Sequence, residues 1–383
     1  MTKKSERLFF GRAWLSGRAV DDVLITVANG RITDLVESAH CPSGADRLDD
    51  LLVPGFIDIH VHGAAGHDFM DGSVDACVSV LRHHARHGTT AVAATTLSGS
   101  QSDLLRAVRA IAGASTELAA GAAEICAVHL EGPYINPARA GAQATSAIRP
   151  GSIHEVTELL ALAPNLAWIM TVAPEVEGVR ALIEHFVPRI VFSIGHTKAD
   201  YGQTVAAIDW GASHFTHLFN AMPPFEHRSP GPVGAAFISN EATAELIADG
   251  IHVHPAVLRI ATQAMAGRVT LVTDAVRACG MPDGNYTLYD QQITLADGAV
   301  RLADGTLAGS VLTMMDAVRN MVELAGVPLD AVIPLATEVP AHVIGVGTTK
   351  GRIEIGYDAD LVALTPKLEA ARVFVRGEEI AHS

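Results

Sequence analysis

The middle of the chain alternates between short apolar runs and longer segments whose apolar residues recur every three or four positions. The short runs have the length of buried strands, and segments such as VDACVSVLRHHARHG at 74–88 have the period of amphipathic helices. The strand-like runs are 55–63, 89–97, 124–131, 166–173, 189–196, 213–219, 243–249 and 268–274. Repeated βα units indicate a parallel sheet, and eight of them over about 250 residues are typical of a (β/α)8 TIM-like barrel.

Both ends of the chain have a different pattern, with short β-rich stretches and turns. The Asn29-Gly30 step between two apolar runs is a strong hairpin signal, and strand-like sequence returns in ARVFVRGEEI at 371–380. We therefore predict an α/β protein with a small β-sandwich domain built from residues 1–53 and 346–383, and a barrel from residues 54–345. A doubly wound open sheet is the alternative for the middle, although no GxGxxG motif follows its first strand.

Composition narrows the classes of function. The 383 residues include 27 basic and 42 acidic side chains, and the formal charge of −15 argues against binding to a nucleic acid backbone. Four cysteines without CxxC spacing favour reduced thiols over a disulfide or zinc framework: Cys41, Cys77, Cys126 and Cys279. No apolar run has the length of a signal peptide or a membrane span, so we expect a soluble cytoplasmic protein.

Residues that can bind a metal stand at the ends of five of the predicted strands. They are His60 and His62 after the first, Glu131 after the third, His196 after the fifth, His217 after the sixth and Asp274 after the eighth. A single histidine in such a place is more often a core residue, but the carboxyl ends of barrel strands meet at one face, where six such residues predict a metal site. Imidazole and carboxylate ligands suit Zn²⁺, Fe²⁺, Mn²⁺ or Co²⁺ better than Ca²⁺ or Mg²⁺.

The predicted metal site indicates a reaction class. A bound divalent ion acidifies a water molecule and polarises a carbonyl group, as in metal-assisted hydrolysis. Asp274 would accept the proton of that water and deliver it to the leaving group. The alternative for Asp274 is a helix cap, since aspartate is a favoured N-cap residue.

Several motifs together resemble the amidohydrolase superfamily and, within it, the N-acetylglucosamine-6-phosphate deacetylase family. The motifs lie in the same order as in that family, between about residues 50 and 365: PGFIDIHVHG, HLEGPYIN, GHT, THLFNAM, DGIHVHP, LVTDAV and GRIEIGYDADLV. HLEGP and THLFNAM are specific to the deacetylases, whereas HxH is shared across the superfamily. The resemblance implies hydrolysis of the N-acetyl group of N-acetyl-D-glucosamine 6-phosphate, giving D-glucosamine 6-phosphate and acetate.

The resemblance also implies roles for individual residues. Glu131, His196 and His217 match the principal metal ligands, Asp274 matches the catalytic acid/base, and His60 and His62 match a second-metal pair that some relatives lack, so one or two ions remain possible. The residues that match substrate contacts are Ala142, Gln143, Asn220, Ala221, Arg228, His252, Leu307, Ala308 and Gly309. In the family a cation reaches the phosphate from a neighbouring subunit, which implies a homodimer.

Gln143 departs from the family pattern, which usually presents a histidine at this position. Glutamine can form hydrogen bonds but carries no charge, so N-acetylgalactosamine 6-phosphate or another N-acyl amino sugar becomes an alternative substrate. Two further alternatives stay open. One is a cyclic-amide or deaminating amidohydrolase, although the fourth predicted strand ends in TVAPE, without a lysine that could bridge two metals. The other is a non-catalytic scaffold, which would be expected to lose metal ligands.

Overall fold

The computed structural model of the chain describes residues 6–116 and 118–381. Its strands are β1 (Arg7–Leu15), β2 (Arg18–Ala28), β3 (Arg31–Val36), β4 (Asp46–Pro54), β5 (Phe56–Val61), β6 (Gly63–Ala64), β7 (His67–Asp68), β8 (Thr89–Thr96), β9 (Glu124–Glu131), β10 (Ala167–Val172), β11 (Val191–Ile194), β12 (His214–Phe215), β13 (Thr243–Ile247), β14 (Val269–Val272), β15 (Gly284–Leu288), β16 (Gln291–Ala296), β17 (Ala299–Arg301), β18 (Leu361–Leu364), β19 (Ala370–Val375) and β20 (Glu378–Glu379).

The helices connect and cover these strands. They are α1 (Val74–Arg86), α2 (Gln101–Ser115), α3 (Ile153–Leu162), α4 (Val179–Phe186), α5 (Tyr201–Trp210), α6 (Gly231–Ile238), α7 (Pro255–Ala264), α8 (Met314–Glu323), α9 (Leu329–Ala336) and α10 (Glu338–Val343). The sequence of α1 shows why such segments fold as helices. Ser73 caps its first turn by accepting a hydrogen bond from the Ala76 amide, and the apolar side chains of Cys77, Val80 and Leu81 face the core.

Within the described residues, eight parallel strands form the barrel in the order β5, β8, β9, β10, β11, β12, β13 and β14. Each lies inside one of the predicted runs, and the predicted fold class is confirmed. The run at 213–219 contributes only the short strand β12, because the chain leaves the sheet immediately afterwards, with left-handed backbone at His217 and Phe219 (φ of 28° and 80°).

The first and last barrel strands meet at the carboxyl end of the barrel. The Asp274 amide donates to the His60 carbonyl at 2.8 Å, and the His62 amide donates to the Ala275 carbonyl at 2.9 Å. One residue deeper, the Thr273 hydroxyl donates to Asp58 Oδ2 at 2.6 Å. These bonds bring β5 and the end of β14 together, so the open-sheet alternative is wrong.

The two chain ends form one sheet with its own hydrophobic core. In the described residues this seven-stranded sheet has the order β20, β19, β18, β4, β1, β2 and β3, so the last strands pair with the first ones through β4 and β18. Apolar side chains such as Phe9, Ile25, Leu52 and Phe374 are fully buried in that core. The sheet-rich terminal domain is thus confirmed, while the boundaries at residues 53 and 346 stay a prediction.

One substructure was not predicted from the sequence. Strands β15, β16 and β17 form an antiparallel sheet between β14 and α8, and the segment that follows it returns to the mouth of the barrel. The Asp297-Gly298 step at the turn between β16 and β17 is a hairpin signal that could have identified it. No helix in residues 6–116 and 118–381 is long and apolar enough to span a membrane.

Candidate active site

A cavity of about 650 Å³ opens at the carboxyl end of the barrel strands. His62, Glu131, His196, His217 and Asp274 line it, and all are at most 8% exposed. Polar groups buried this deeply require partners, and here the partners are mainly one another. The cavity lies at the carboxyl-terminal face of the barrel, to which the ends of several strands each contribute side chains.

Three of the predicted ligands form a first cluster of donor atoms. Oε1 of Glu131 lies 3.0 Å from Nε2 of His196 and 3.0 Å from Nε2 of His217, and the two imidazole nitrogens are themselves 3.0 Å apart. Glu131 is the last residue of β9, while the two histidines follow β11 and β12. One side chain from each of three strands therefore converges on a single point.

The remaining three predicted residues form a second cluster beside the first. Nε2 of His60 lies 3.3 Å from Nε2 of His62, and Oδ1 of Asp274 lies 3.5 Å and 3.2 Å from these two nitrogens. Glu131 joins the clusters, because its second oxygen, Oε2, lies 3.1 Å from Nε2 of His62. The alternation of His60 and His62 along β5 and its extension brings both imidazoles to the same side, as the sequence predicts.

The donor atoms fit a divalent metal ion. Nδ1 of His196 faces the Arg139 carbonyl oxygen at 2.8 Å, and Nδ1 of His60 faces Glu245 Oε2 at 2.8 Å. The Nδ1–H is therefore the donor in each ring, so Nε2 faces the cluster and would offer its lone pair to a metal that binds the neutral ring. Ligands at about 2.0–2.1 Å from a tetrahedral zinc ion lie about 3.3 Å apart, close to the separations observed here.

The backbone is strained at three of these residues. His196, His217 and Asp274 have φ angles of 47°, 28° and 49°, in the left-handed region that side chains with a Cβ atom rarely adopt. Such conformations concentrate at functional sites, where the surrounding structure holds them. Each lies two residues after the last residue of a barrel strand, and each side chain lines the cavity.

Asp274 is not a helix cap. The chain continues from it into a loop that precedes β15, and the next helix, α8, begins only at Met314. Burial by itself would raise the pKa of Asp274, but the positive charge of His60 and the hydrogen bond from His62 outweigh burial and hold the pKa below its usual value. Asp274 thus lies at the cavity as a carboxylate, which can accept a proton.

Most of the residues predicted to contact substrate lie around the same cavity. Its wall contains Ala142, Gln143, Asn220, Ala221, His252, Leu307 and Gly309. Ala308 is fully buried beside them, and its amide donates to the Val300 carbonyl. Arg228 is the exception, because it lies in an exposed turn and is not among the residues that line the cavity of its own chain.

Gln143 is held by contacts to the protein at both ends of its side-chain amide. Its oxygen accepts a hydrogen bond from the Ser98 amide at 2.6 Å, and its nitrogen donates to Oε2 of Glu131. The side chain is 5% exposed. Gln143 therefore links the Glu131 carboxylate to the Ser98 backbone at the wall of the cavity.

His252 is oriented by a neighbouring carboxylate. Its Nδ1 lies 2.6 Å from Oδ2 of Asp249, whose Oδ1 also accepts from the His252 amide at 2.8 Å. His252 lines the cavity, so a ring held in this way can present its other nitrogen to a ligand. The second histidine of the motif, His254, is instead the exposed N-cap of α7.

Sequence reasoning missed several residues of this region. Glu245 on β13 and His129 on β9 are fully buried next to the ligands, and Arg139, Arg301 and Thr306 line the cavity. Burial and the positive charge of His60 lower the pKa of His129 to about 3, so its ring is neutral. A charged residue inside the apolar run ATAELIAD was the available signal for Glu245, whereas nothing in the sequence places the inserted hairpin at the cavity.

Comparison with known proteins gives a consistent result. The sequence profile of the amidohydrolase family matches residues 51–380. An N-acetylgalactosamine-6-phosphate deacetylase from Escherichia coli O157:H7 is 37% identical over 376 residues, which cover 98% of each chain. An N-acetylglucosamine-6-phosphate deacetylase from Bacillus subtilis is 38% identical over 334 residues, which cover 86% of this chain and 84% of the relative.

Solved structures agree with the sequence relatives. N-acetyl-D-glucosamine-6-phosphate deacetylase from Mycobacterium smegmatis, solved as a point mutant in complex with N-acetyl-D-glucosamine-6-phosphate, superposes with a TM-score of 0.92. It is 33% identical and covers 99% of this chain and 100% of its own. The enzyme from Pasteurella multocida has the same TM-score of 0.92 at 28% identity, with 99% and 100% coverage.

Proposed function

Because the chain belongs to the amidohydrolase family, we propose that it is a metal-dependent deacetylase of N-acetyl-D-glucosamine 6-phosphate. The products are D-glucosamine 6-phosphate and acetate. The observation that carries this proposal is the convergence of two donor clusters and Asp274 on one cavity. Relatives that share at least a third of their residues over most of the chain are deacetylases of N-acetylated amino sugar 6-phosphates.

The metal ligands that we propose are Glu131, His196 and His217 for one ion, with His60 and His62 available for a second. A bound divalent ion would polarise the acetamide carbonyl and acidify a water molecule. We propose Zn²⁺, since imidazole and carboxylate donors at these separations fit its tetrahedral preference, while Fe²⁺, Mn²⁺ and Co²⁺ remain alternatives with the same ligand types.

Asp274 carries the proton in the proposed mechanism. Its carboxylate, on the cavity wall and next to His62, accepts a proton from the attacking water. The same group then delivers that proton to the amide nitrogen of the sugar, so that the amine leaves as a stable product. The buried setting excludes bulk water, which would otherwise compete for the proton.

The substrate-binding residues that we propose surround the sugar. Asn220, Ala221 and the segment from Leu307 to Gly309 would contact its ring, while Gln143, with Ala142 beside it, lies closest to the metal ligands. His252 would meet the phosphate. Arg228, which is exposed and outside the cavity of its own chain, would reach the phosphate from the neighbouring subunit of a homodimer, because a guanidinium binds phosphate in a bidentate manner.

A second candidate substrate has its own support. Gln143 replaces the family's usual histidine, and one relative that covers 98% of the chain is an N-acetylgalactosamine-6-phosphate deacetylase. The galacto epimer is therefore the alternative to N-acetylglucosamine 6-phosphate. A cytoplasmic location stays a prediction.

The deciding experiment measures acetate release from three sugars in the presence of added Zn²⁺. These are N-acetylglucosamine 6-phosphate, its galacto epimer and unphosphorylated N-acetylglucosamine. We expect turnover of the gluco phosphate, and little from the free sugar. Turnover of the epimer alone would identify the galacto phosphate as the substrate and leave the proposed mechanism unchanged. A protein that binds metal and releases no acetate from any of the three would contradict the deacetylase proposal.

A further inference from the structure

Glu245 is a fully buried carboxylate in contact with both donor clusters. It stands in the middle of β13, and one of its oxygens, Oε2, accepts two hydrogen bonds. One comes from Nδ1 of His60 and the other from the backbone amide of His217, each at 2.8 Å. The other oxygen, Oε1, lies 3.3 Å from Nε2 of His214. A single oxygen atom therefore joins one residue of each cluster.

The contact with His60 fixes which nitrogen of that ring can bind a cation. Because Nδ1–H is donated to the carboxylate, Nε2 is the nitrogen that faces His62 and Asp274, and its lone pair becomes available to a cation when the ring is neutral. A negative charge on the far side of the ring also makes Nε2 a stronger electron donor, as in carboxylate–histidine–metal arrangements. His62 has no such support, since its Nδ1 is buried without a hydrogen-bond partner in the described residues.

The contact with His217 acts on the backbone instead of the ring. The φ angle of His217 is 28°, a conformation that needs support from its surroundings. The Glu245 oxygen satisfies the His217 amide, which has left the sheet at the end of β12. A neutral carboxamide of the same shape can still accept this hydrogen bond, so only the effect on His60 depends on the charge.

We propose that Glu245 is a positioning residue that favours cation binding at the cluster of His60, His62 and Asp274. The inference rests on the proposed metal-dependent function, and it adds a residue outside the cavity on which the second ion depends. The proposal predicts that removing the charge of Glu245 lowers the affinity for the second ion. The affinity for the first ion, which Glu131, His196 and His217 hold, should change little.

The experiment titrates the metal-free chain with Co²⁺ and follows visible absorption together with competition by a chelator. For the unaltered chain we expect two cations per chain. Glu245→Gln should lower the affinity for the second cation by roughly 10- to 100-fold, the usual effect of losing a hydrogen-bond partner of a metal ligand. The affinity for the first cation should change less than about threefold. In a His60→Gln background, Glu245→Gln should have no additional effect, because its effect acts through that ring.

A matched control separates this role from general destabilisation. Asp360 is also a buried carboxylate, but it lies in the terminal domain next to Lys350. Asp360→Asn should lower thermal stability and leave both Co²⁺ affinities unchanged. If Glu245→Gln does not fold, Glu245→Asp keeps the charge with a shorter reach, and it should weaken the second cation less than His60→Gln does.

Several outcomes would overturn the inference. If Glu245→Gln lowered the affinity for both cations equally, or if the effects of Glu245→Gln and His60→Gln on affinity were additive, Glu245 would contribute only to packing. An unaltered chain that binds one cation would also overturn it, since no second ion would exist for Glu245 to favour. A chain that binds no cation would overturn the proposed function itself, which keeps the two failures distinguishable.

Discussion

Asp274 differs from the other residues of the two donor clusters in its exposure to the cavity. It is 8% exposed, against 0% for His60 and 2% for His62, so a substrate atom can approach its carboxylate. A proton carrier needs such an intermediate position between ligands and solvent.

We therefore expect Asp274→Asn to lower kcat by roughly a hundred- to ten-thousandfold, the usual contribution of general acid–base catalysis, while the cation held by Glu131, His196 and His217 is retained. The asparagine has nearly the same shape but cannot accept the proton. Acetate release and elemental analysis of the same preparation provide the two measurements. Near-normal turnover would remove Asp274 from the mechanism.

Gln143 is the residue at which substrate choice can be tested. Gln143→His restores the family's usual side chain and adds a group that can donate to the sugar. The ratio of kcat/KM for the gluco phosphate over the galacto epimer should rise roughly tenfold, the effect of about one net hydrogen bond. Gln292→His, an exposed change on β16, serves as the control. A ratio unchanged within about twofold in Gln143→His would show that this side chain does not select the sugar.

At the residue scale the sequence predicts the metal ligands better than the residues that form hydrogen bonds to those ligands. His60 and Glu131 can be recognised because each ends a strand-like run, and the ends of barrel strands converge. Glu245 cannot be recognised in this way, since its partners lie 185 and 28 residues away in the chain, at His60 and His217. Hydrogen bonds between distant strands depend on register, which a single sequence does not specify.

At the scale of elements, the periodicity of apolar residues predicts the barrel but does not predict the small sheet of β15, β16 and β17. The eight barrel strands are apolar runs, most of them separated by amphipathic helices, and this pattern follows directly from burial on both faces of the sheet. The small sheet of β15 to β17 has half-exposed strands without a helix between them, so it resembles an irregular loop. Its position over the cavity places Arg301 and Leu307 there.

The terminal sheet contains an ion-pair group that should respond to acid. Arg372 donates to both oxygens of Asp46 at 2.8 Å and to Glu379 Oε1 at 2.7 Å. These hydrogen bonds lower the pKa of Asp46 and of Glu379 from their ordinary values of 3.8 and 4.5. Groups with depressed pKa values stabilise the fold above their unfolded values, and this contribution disappears as the pH falls through the folded ones.

Arg372→Met should therefore lower the free energy of unfolding by about 1 kcal/mol near pH 6, since these pairs are partly exposed. The difference from the unaltered chain should shrink as the pH is lowered from 5 toward 3. Urea unfolding of both chains at a series of pH values measures this difference in the free energy of unfolding. A difference that stays constant over this range would mean that Arg372 acts through packing on Phe374, over whose ring its guanidinium lies at 4.9 Å.

At the scale of the molecule, a buried cluster connects the terminal domain to the barrel. Nζ of Lys350 lies 2.7 Å from Asp360 and 2.9 Å from both Asp358 and Glu124, the first residue of β9. Lys350 is 5% exposed. Removing one partner from such a cluster leaves charges buried without compensation.

Lys350→Met should consequently lower the free energy of unfolding by roughly 3–5 kcal/mol, measured by urea denaturation. Arg352→Met is the control, because Arg352 pairs with Glu338 while its side chain is 53% exposed, and it should cost less than about 1 kcal/mol. Equal losses in the two variants would show that Lys350 does not join the domains.

The proposed homodimer can be tested through its shared site. If Arg228 acts in the neighbouring subunit, a mixture of Arg228→Ala and Asp274→Asn chains should recover activity that neither has alone. Random pairing makes half of the dimers mixed, each with one complete site, so about a quarter of the unaltered activity should return. Light scattering should give twice 40.2 kDa. No recovery after verified subunit exchange would exclude the contribution of Arg228 in trans.

The left-handed backbone at His196, His217 and Asp274 has a consequence for engineering this chain. Each such conformation costs on the order of 1–3 kcal/mol, which glycine would largely avoid. A library screened for heat resistance alone, without metal, would therefore enrich glycine at all three positions. Variants selected in that way would be more robust and inert. Selection in the presence of metal and substrate would instead retain the three residues, and comparing the two libraries would measure how much stability the chain gives up for its site.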